Sequence, residues 1–192
     1  MAQLVHHRSE HLLDPQQSGL LLIDIQERFF PVIPDLPQVV NRSQVLLKTT
    51  QALSIPVWVS EQYPKGLGPT AAGLKELIPA SAPVHQKLTF SALGEGELWN
   101  QIREKKIKQL VVAGVESHVC VLQTVFDLLA LFDGWVFVVA DAVSSRNPDD
   151  KKWALDRMSR AGAHIITTEM AVFEWIGRAG TPLFKEAQSW IK

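Results

Sequence analysis

Cys120 is the only cysteine in the chain, so no internal disulfide can form, which fits a reducing compartment. Excess charge of either sign is also missing. Nineteen basic and twenty acidic side chains leave a formal net charge of −1, and no run of like charges stands out. That balance gives no reason to expect a nucleic-acid or anionic-membrane partner. The longest apolar runs, such as 135-WVFVVA-140, are far too short to cross a bilayer. The opening stretch MAQLVHHRSEHLLDPQQ is polar and lacks the apolar centre of a signal peptide. No repeat, low-complexity tract or linker interrupts the chain. The expectation is a soluble, cytoplasmic protein with no membrane partner, built as a single domain over 1–192 with a flexible or peripheral segment over 1–17.

The chain does have short, continuous apolar runs separated by helical patterns. The runs 20-LLLIDI-25, 55-IPVWVS-60, 110-LVVAGV-115, 135-WVFVVA-140 and 164-HIITT-168 do not alternate with polar residues. Strands buried on both faces of a parallel sheet look like this. A weaker run, 83-PVHQK-87, adds a sixth. Between them, helices are predicted over 37–53, 95–106, 117–132 and 148–162, with one more over 182–192. Alternating strands and helices predict an α/β fold: a three-layer α/β/α sandwich around a Rossmann-like, mostly parallel six-stranded sheet.

Such sheets bind ligands beyond the C-terminal ends of their strands, so polar residues there matter most. Asp24 interrupts the first run, either as a helix cap or buried turn acceptor or as a general base. Lys87 closes the weak strand, either on the surface or turned into a cleft beside Asp24. Cys120 follows the fourth strand across Gly114-Val115-Glu116-Ser117. With Ser117 as N-cap, Cys120 falls in the first helical turn, where free N–H groups and the helix dipole favour a thiolate. The competing reading is a buried, inert thiol. An acid, an amine and a thiol at three strand ends make a plausible nucleophilic site.

The segments 20-LLLIDIQERFF-30, 85-HQKLTFSAL-93 and 114-GVESHVCVLQT-124 resemble the isochorismatase-like cysteine hydrolases, and the likeness runs from about Ser18 to Lys192. Within that superfamily, 60-SEQYPKGLGPT-70, 140-ADAVSSR-146 and 182-PLFKEAQSWIK-192 resemble the isochorismatase-domain-containing branch. The resemblance implies a catalytic triad of Asp24, Lys87 and Cys120, with Asp24 taking the thiol proton and Lys87 polarising the site. The thiolate would open a small amide or related C–N bond through a thioester. By the same resemblance, the backbone N–H groups of Glu116 and Cys120 form the oxyanion hole, and the Val115–Glu116 peptide is cis. The glutamate at 116 departs from the small residue or threonine common near this turn. Phe29 stands where the family places an aromatic pocket wall, and Tyr63, Phe90 and Trp58 are further candidates for an apolar lining.

Relatives that bind a metal carry an Asp-x-His pair after the second strand. Here that region reads SEQYPKGLG, without histidine. His85 and His118 show no ligand spacing, so no metal and no cofactor are expected. The expected partner is a small-molecule substrate, and the family's habit implies a homo-oligomer, dimer or larger, with 173-FEWIG-177 as a candidate interface. Two alternatives use the same fold: a catalytically idle oligomeric binding scaffold, and a thiol redox sensor.

Overall fold

The computed structural model describes residues 8–191. Six strands, β1 (Ser18–Ile23), β2 (Val57–Gln62), β3 (Val84–Lys87), β4 (Gln109–Val115), β5 (Trp135–Ser144) and β6 (His164–Ile166), form one sheet. Their order is β3-β2-β1-β4-β5-β6, and every neighbouring pair is parallel. The helices are α1 (Leu36–Leu53), α2 (Pro64–Leu67), α3 (Ala72–Lys75), α4 (Glu97–Glu104), α5 (Leu122–Leu131), α6 (Pro148–Arg160), α7 (Thr168–Ile176) and α8 (Pro182–Ile191).

The continuous apolar runs divide between two cores. From β1, Leu20 and Leu22 pack with Leu36, Val39, Leu46 and Leu47 of α1 and with Trp175 of α7. The alternate residues Leu21 and Ile23 face Leu98 and Ile102 of α4, Val125 and Leu128 of α5, and Ala154 and Met158 of α6. A strand covered on both sides has no polar face to show, which is why these runs do not alternate. Burying each such side chain stabilises the fold by roughly 1.5–3 kcal/mol. No helix among the described residues is long and apolar enough to cross a membrane.

Several elements differ from expectation. The stretch 117–132 is not one helix: Ser117–Val121 is a π-helical turn that precedes α5. Ser117 is not its cap either, since Glu116 holds that position and the buried Ser117 hydroxyl has no hydrogen-bond partner. The strand expected over 164–168 stops at Ile166, because the Thr167 side chain caps α7 by accepting from Met170 N–H. That helix takes the tryptophan out of the suggested interface at 173–177. Trp175 is buried and donates its indole N–H to the Ser18 hydroxyl at 2.9 Å. Trp58, a pocket-wall candidate, is likewise buried in the core on the α4–α6 side.

Of the segment 1–17, residues 1–7 lie outside the described residues. Over 8–17 the chain is anchored. Leu13 is buried, and its N–H donates to the Glu174 carboxylate at 2.9 Å. Gln109 accepts from Asp14 N–H at 2.7 Å and donates to the Leu12 carbonyl at 2.9 Å.

Candidate functional site

The order in which strands are added to the sheet reverses between β1 and β4, and the crevice beyond their C-terminal ends is where doubly wound sheets hold ligands. Asp24 directly follows β1, Lys87 is the last residue of β3, and Cys120 lies in the π turn after β4. All three are buried. Gly114 allows the crowding here: a Cβ on it would sit 2.1 Å from the Ile23 carbonyl oxygen, and its φ is +134°. No other residue fits against β1 at that point.

Asp24 has a left-handed backbone (φ 53°), which aspartate tolerates better than most residues. The neighbouring short 3₁₀ turn, Glu27–Phe29, is capped at Gln26, so Asp24 is not a helix cap. One carboxylate oxygen accepts from the Ser60 hydroxyl at 2.7 Å, the other from the Lys87 ammonium at 2.7 Å. Lys87 Nζ also donates to Gln62 Oε1 at 2.7 Å, to the Phe90 carbonyl at 3.0 Å and to that of Thr89 at 3.3 Å. Cys120 Sγ stands 4.0 Å from the same Gln62 oxygen.

Gln62 is the site residue that the sequence reading passed over. It ends β2, and it is held from three directions. Gln26 accepts the Gln62 N–H at 2.8 Å and donates to its carbonyl at 3.0 Å, while Gln62 Nε2 donates to the Leu88 carbonyl at 2.9 Å. These bonds fix the amide with its oxygen toward Lys87 and Cys120. The signal was its position: the rule that singles out strand C-termini applies to β2 as it does to β1, β3 and β4.

Burial pushes the Asp24 carboxyl above its ordinary value, with the Lys87 charge working against the rise. The Cys120 thiol is pushed up to about 12, first by burial and then by the negative charge of Asp24, with Lys87 offsetting only part. This reverses the expectation of a resting thiolate. The helix-dipole argument treated the thiol as solvated, whereas Cys120 is only 6% exposed and faces a carboxylate. At rest a protonated thiol lies beside a carboxyl group whose proton affinity is raised.

The backbone at Cys120 is also unusual. The Glu116 carbonyl takes the N–H groups of Val119 and Val121 at 3.1 and 3.2 Å, stepping over that of Cys120. The Val115–Glu116 peptide is cis. The Glu116 side chain is turned aside: it is buried and accepts from both the backbone N–H and Nε of Arg146, each at 3.0 Å. Thr124 accepts from Ala92 N–H and donates to the Cys120 carbonyl, tying the loop after β3 to the π turn.

The aromatic candidates separate. Phe29 is half-buried and packs against the core on the α1 side. Tyr63 and Phe90 are about half exposed, at 51% and 54%. Tyr63 and Lys87, with Pro64, Lys65, Leu88 and Glu95, line a cavity of about 410 Å³. A larger concavity of about 930 Å³ lies between Arg8 and α7, away from these groups, so size does not identify the site. His85 meets Gln101 and Glu97, and His118 meets Ser145 and Asp150. Among the described residues no three His, Cys, Asp or Glu side chains gather as metal ligands do.

A doubly wound parallel sheet with an acid, an amine and a thiol gathered beyond its strand ends defines a three-layer α/β domain with a candidate nucleophilic site. Residues 18–170 match the isochorismatase domain. The chain belongs to the isochorismatase-like hydrolase family. It is 40% identical over 183 residues to isochorismatase domain-containing protein 1 of Salmo salar, covering 94% of this chain. It spans only 62% of that protein's length. A solved structure described as a MAR1 ribonuclease from Caenorhabditis elegans superposes with a TM-score of 0.86 at 39% identity, covering 94% of this chain and 92% of that one. The YcaC product of Escherichia coli, described as an octameric hydrolase of unknown specificity, shares the fold with a TM-score of 0.82 at 24% identity, covering 96% and 89%.

Proposed function

We propose that this protein is a metal-independent cysteine hydrolase that cleaves a small amide or related C–N bond. The observation that carries the reading is the convergence of Asp24, Lys87 and the lone thiol at the sheet's switch point. Asp24 takes the Cys120 proton as the sulfur attacks the carbonyl carbon. The oxyanion is held by the N–H groups of Glu116 and Cys120. Collapse breaks the C–N bond, and the amine leaves with the proton from Asp24. Asp24 then takes a proton from water, which attacks the thioester, releases the acid and returns the thiol. Lys87 holds the Asp24 carboxylate in place and opposes the burial-driven rise in its proton affinity.

Tyr63, which lines the cavity beside Lys87, and the half-exposed Phe90 are the walls a small substrate would meet, with Phe29 the remaining candidate. The reading carries with it a cytoplasmic setting and a homo-oligomer, dimer or larger, as YcaC is described to be. A raised, buried thiol is a poor oxidation target, which counts against the redox-sensor alternative. The net charge of −1 offers no electrostatic footprint for RNA despite the Caenorhabditis relative's name.

A panel of primary amides, carbamoyl compounds and a single-stranded RNA, read as ammonia release and RNA cleavage, tests the proposal. It predicts turnover of at least one C–N substrate, lost in Cys120→Ala with the fold intact. Turnover that survives in Cys120→Ala, or RNA cleavage as the sole activity, overturns it.

A further inference from the structure

We propose that Gln62 is a positioning residue for the thiol site: its side-chain carbonyl takes a Lys87 hydrogen and so competes with the Cys120 sulfur for that ammonium. The argument begins with a count of donors. An ammonium has three hydrogens. Four oxygens surround Lys87 Nζ: Asp24 and Gln62 at 2.7 Å, Phe90 at 3.0 Å and Thr89 at 3.3 Å. The two short bonds use two hydrogens, and the third lies between two loop carbonyls. Every hydrogen thus has an oxygen acceptor, and whatever Lys87 gives the sulfur it gives in competition with these bonds.

The same Gln62 oxygen is the acceptor that Cys120 Sγ meets, at 4.0 Å. A neutral carbonyl oxygen beside the sulfur accepts a proton from a thiol but offers nothing to a thiolate. Gln62 therefore acts on the sulfur twice, by engaging the cation that would stabilise the anion and by presenting a lone pair to it. Its amide cannot turn over to reverse this, because Nε2 is committed to the Leu88 carbonyl and the backbone on either side is held by Gln26. Gln26 is fully buried, so the clamp on Gln62 is a fixed part of the fold. The arrangement is a brake: it leaves the thiol protonated until Asp24 acts on it, and it limits side reactions of an idle nucleophile.

The role rests on the same site as the proposed hydrolase, but its test does not need turnover. With one cysteine in the chain, iodoacetamide uptake reports on Cys120 alone. The pH–rate profile of alkylation is measured for the native protein, for Gln62→Met, which keeps the length and removes the acceptor, and for Gln62→Glu, which keeps the shape and adds charge. Freeing a Lys87 hydrogen should move the Gln62→Met profile toward lower pH by about one unit, or roughly tenfold faster alkylation at pH 8. Gln62→Glu should move it the other way and slow alkylation by a similar factor. A change in access alone would alter the plateau and leave the midpoint in place. Coincident midpoints in the three folded proteins overturn the proposal. If Gln62→Met does not fold, the near-isosteric Gln62→Glu decides by itself: a midpoint at or below the native one overturns it. Loss of the hydrolase reading would leave these profiles as they are, so the two failures are distinguishable.

Discussion

The two ends of the sheet both bury polar groups, yet in opposite styles. At the N-terminal end, Ser18, Gln109 and Trp175 form a neutral network. The Ser18 hydroxyl donates to the Asp14 carbonyl at 2.7 Å and accepts the Trp175 indole N–H at 2.9 Å, and Gln109 bridges to Asp14 and Leu12. Those bonds tie the N-terminal segment and α7 onto the strands. At the C-terminal end, Asp24 and Lys87 are a buried ion pair whose partner, the Cys120 thiol, is held in its proton-bearing form. Burial of polar side chains is common to both ends. What distinguishes the site is charge, a reactive atom, and a backbone (φ 53° at Asp24, a π turn at Cys120) that local preference does not favour.

Substitutions at the two ends should therefore separate cleanly. The largest effect is expected at Asp24. Asp24→Asn removes the base, so turnover of any substrate found by screening should fall by about 10²–10⁴. It also removes the negative charge beside the thiol, so alkylation at neutral pH should become faster than in the native protein. Slower alkylation would mean that Asp24 is not what holds the proton on Cys120.

Next in size is Lys87→Met, which leaves Asp24 buried without its cation. Denaturant unfolding should show a loss of about 3–5 kcal/mol, partly relieved at low pH where the carboxyl is neutral. An unchanged midpoint would mean that the pair is not structural. At the opposite end, Gln109→Met leaves the Asp14 N–H and the Leu12 carbonyl without partners. It should cost about 1–3 kcal/mol and leave the alkylation profile untouched. A shifted profile there would erase the division between a structural end and a chemical end.

The smallest effect is an alkaline one. The folded thiol keeps its proton well past the ordinary value of 9.0, up to about 12, so the unfolded chain ionises first. Stability owed to this group is complete below pH 9 and is lost as the pH rises toward 12. At pH 10 the native protein should have lost about 1 kcal/mol that Cys120→Ala does not lose. Parallel pH curves for the two proteins would contradict the raised thiol.

Much of this was legible from the residues. Strands covered on both faces advertise themselves as unbroken apolar runs, and all six lie where those runs placed them, within a few residues at the ends. Asp24, Lys87 and Cys120 stood out because a charge or a lone thiol at a strand end is conspicuous. Gln62 did not, because a glutamine at a strand end looks like an ordinary surface residue until its oxygen is found between an ammonium and a thiol. The π turn escaped because 117–132 keeps one apolar face throughout, and a single change of hydrogen-bond register leaves little trace in that pattern. The thiol's proton affinity depends on burial and on the distance to Asp24, neither of which a linear sequence carries. Trp175 looked like an exposed aromatic because its partner, Ser18, lies 157 residues away.

The central claim is that Cys120 forms a covalent acyl intermediate. Intact-mass measurement of the protein quenched during turnover of an active amide tests it directly. The native protein should gain the mass of the acyl group, that mass should map to Cys120, and Cys120→Ala should gain nothing. An active native protein that shows no adduct under rapid quench, or the same adduct in Cys120→Ala, would contradict the account.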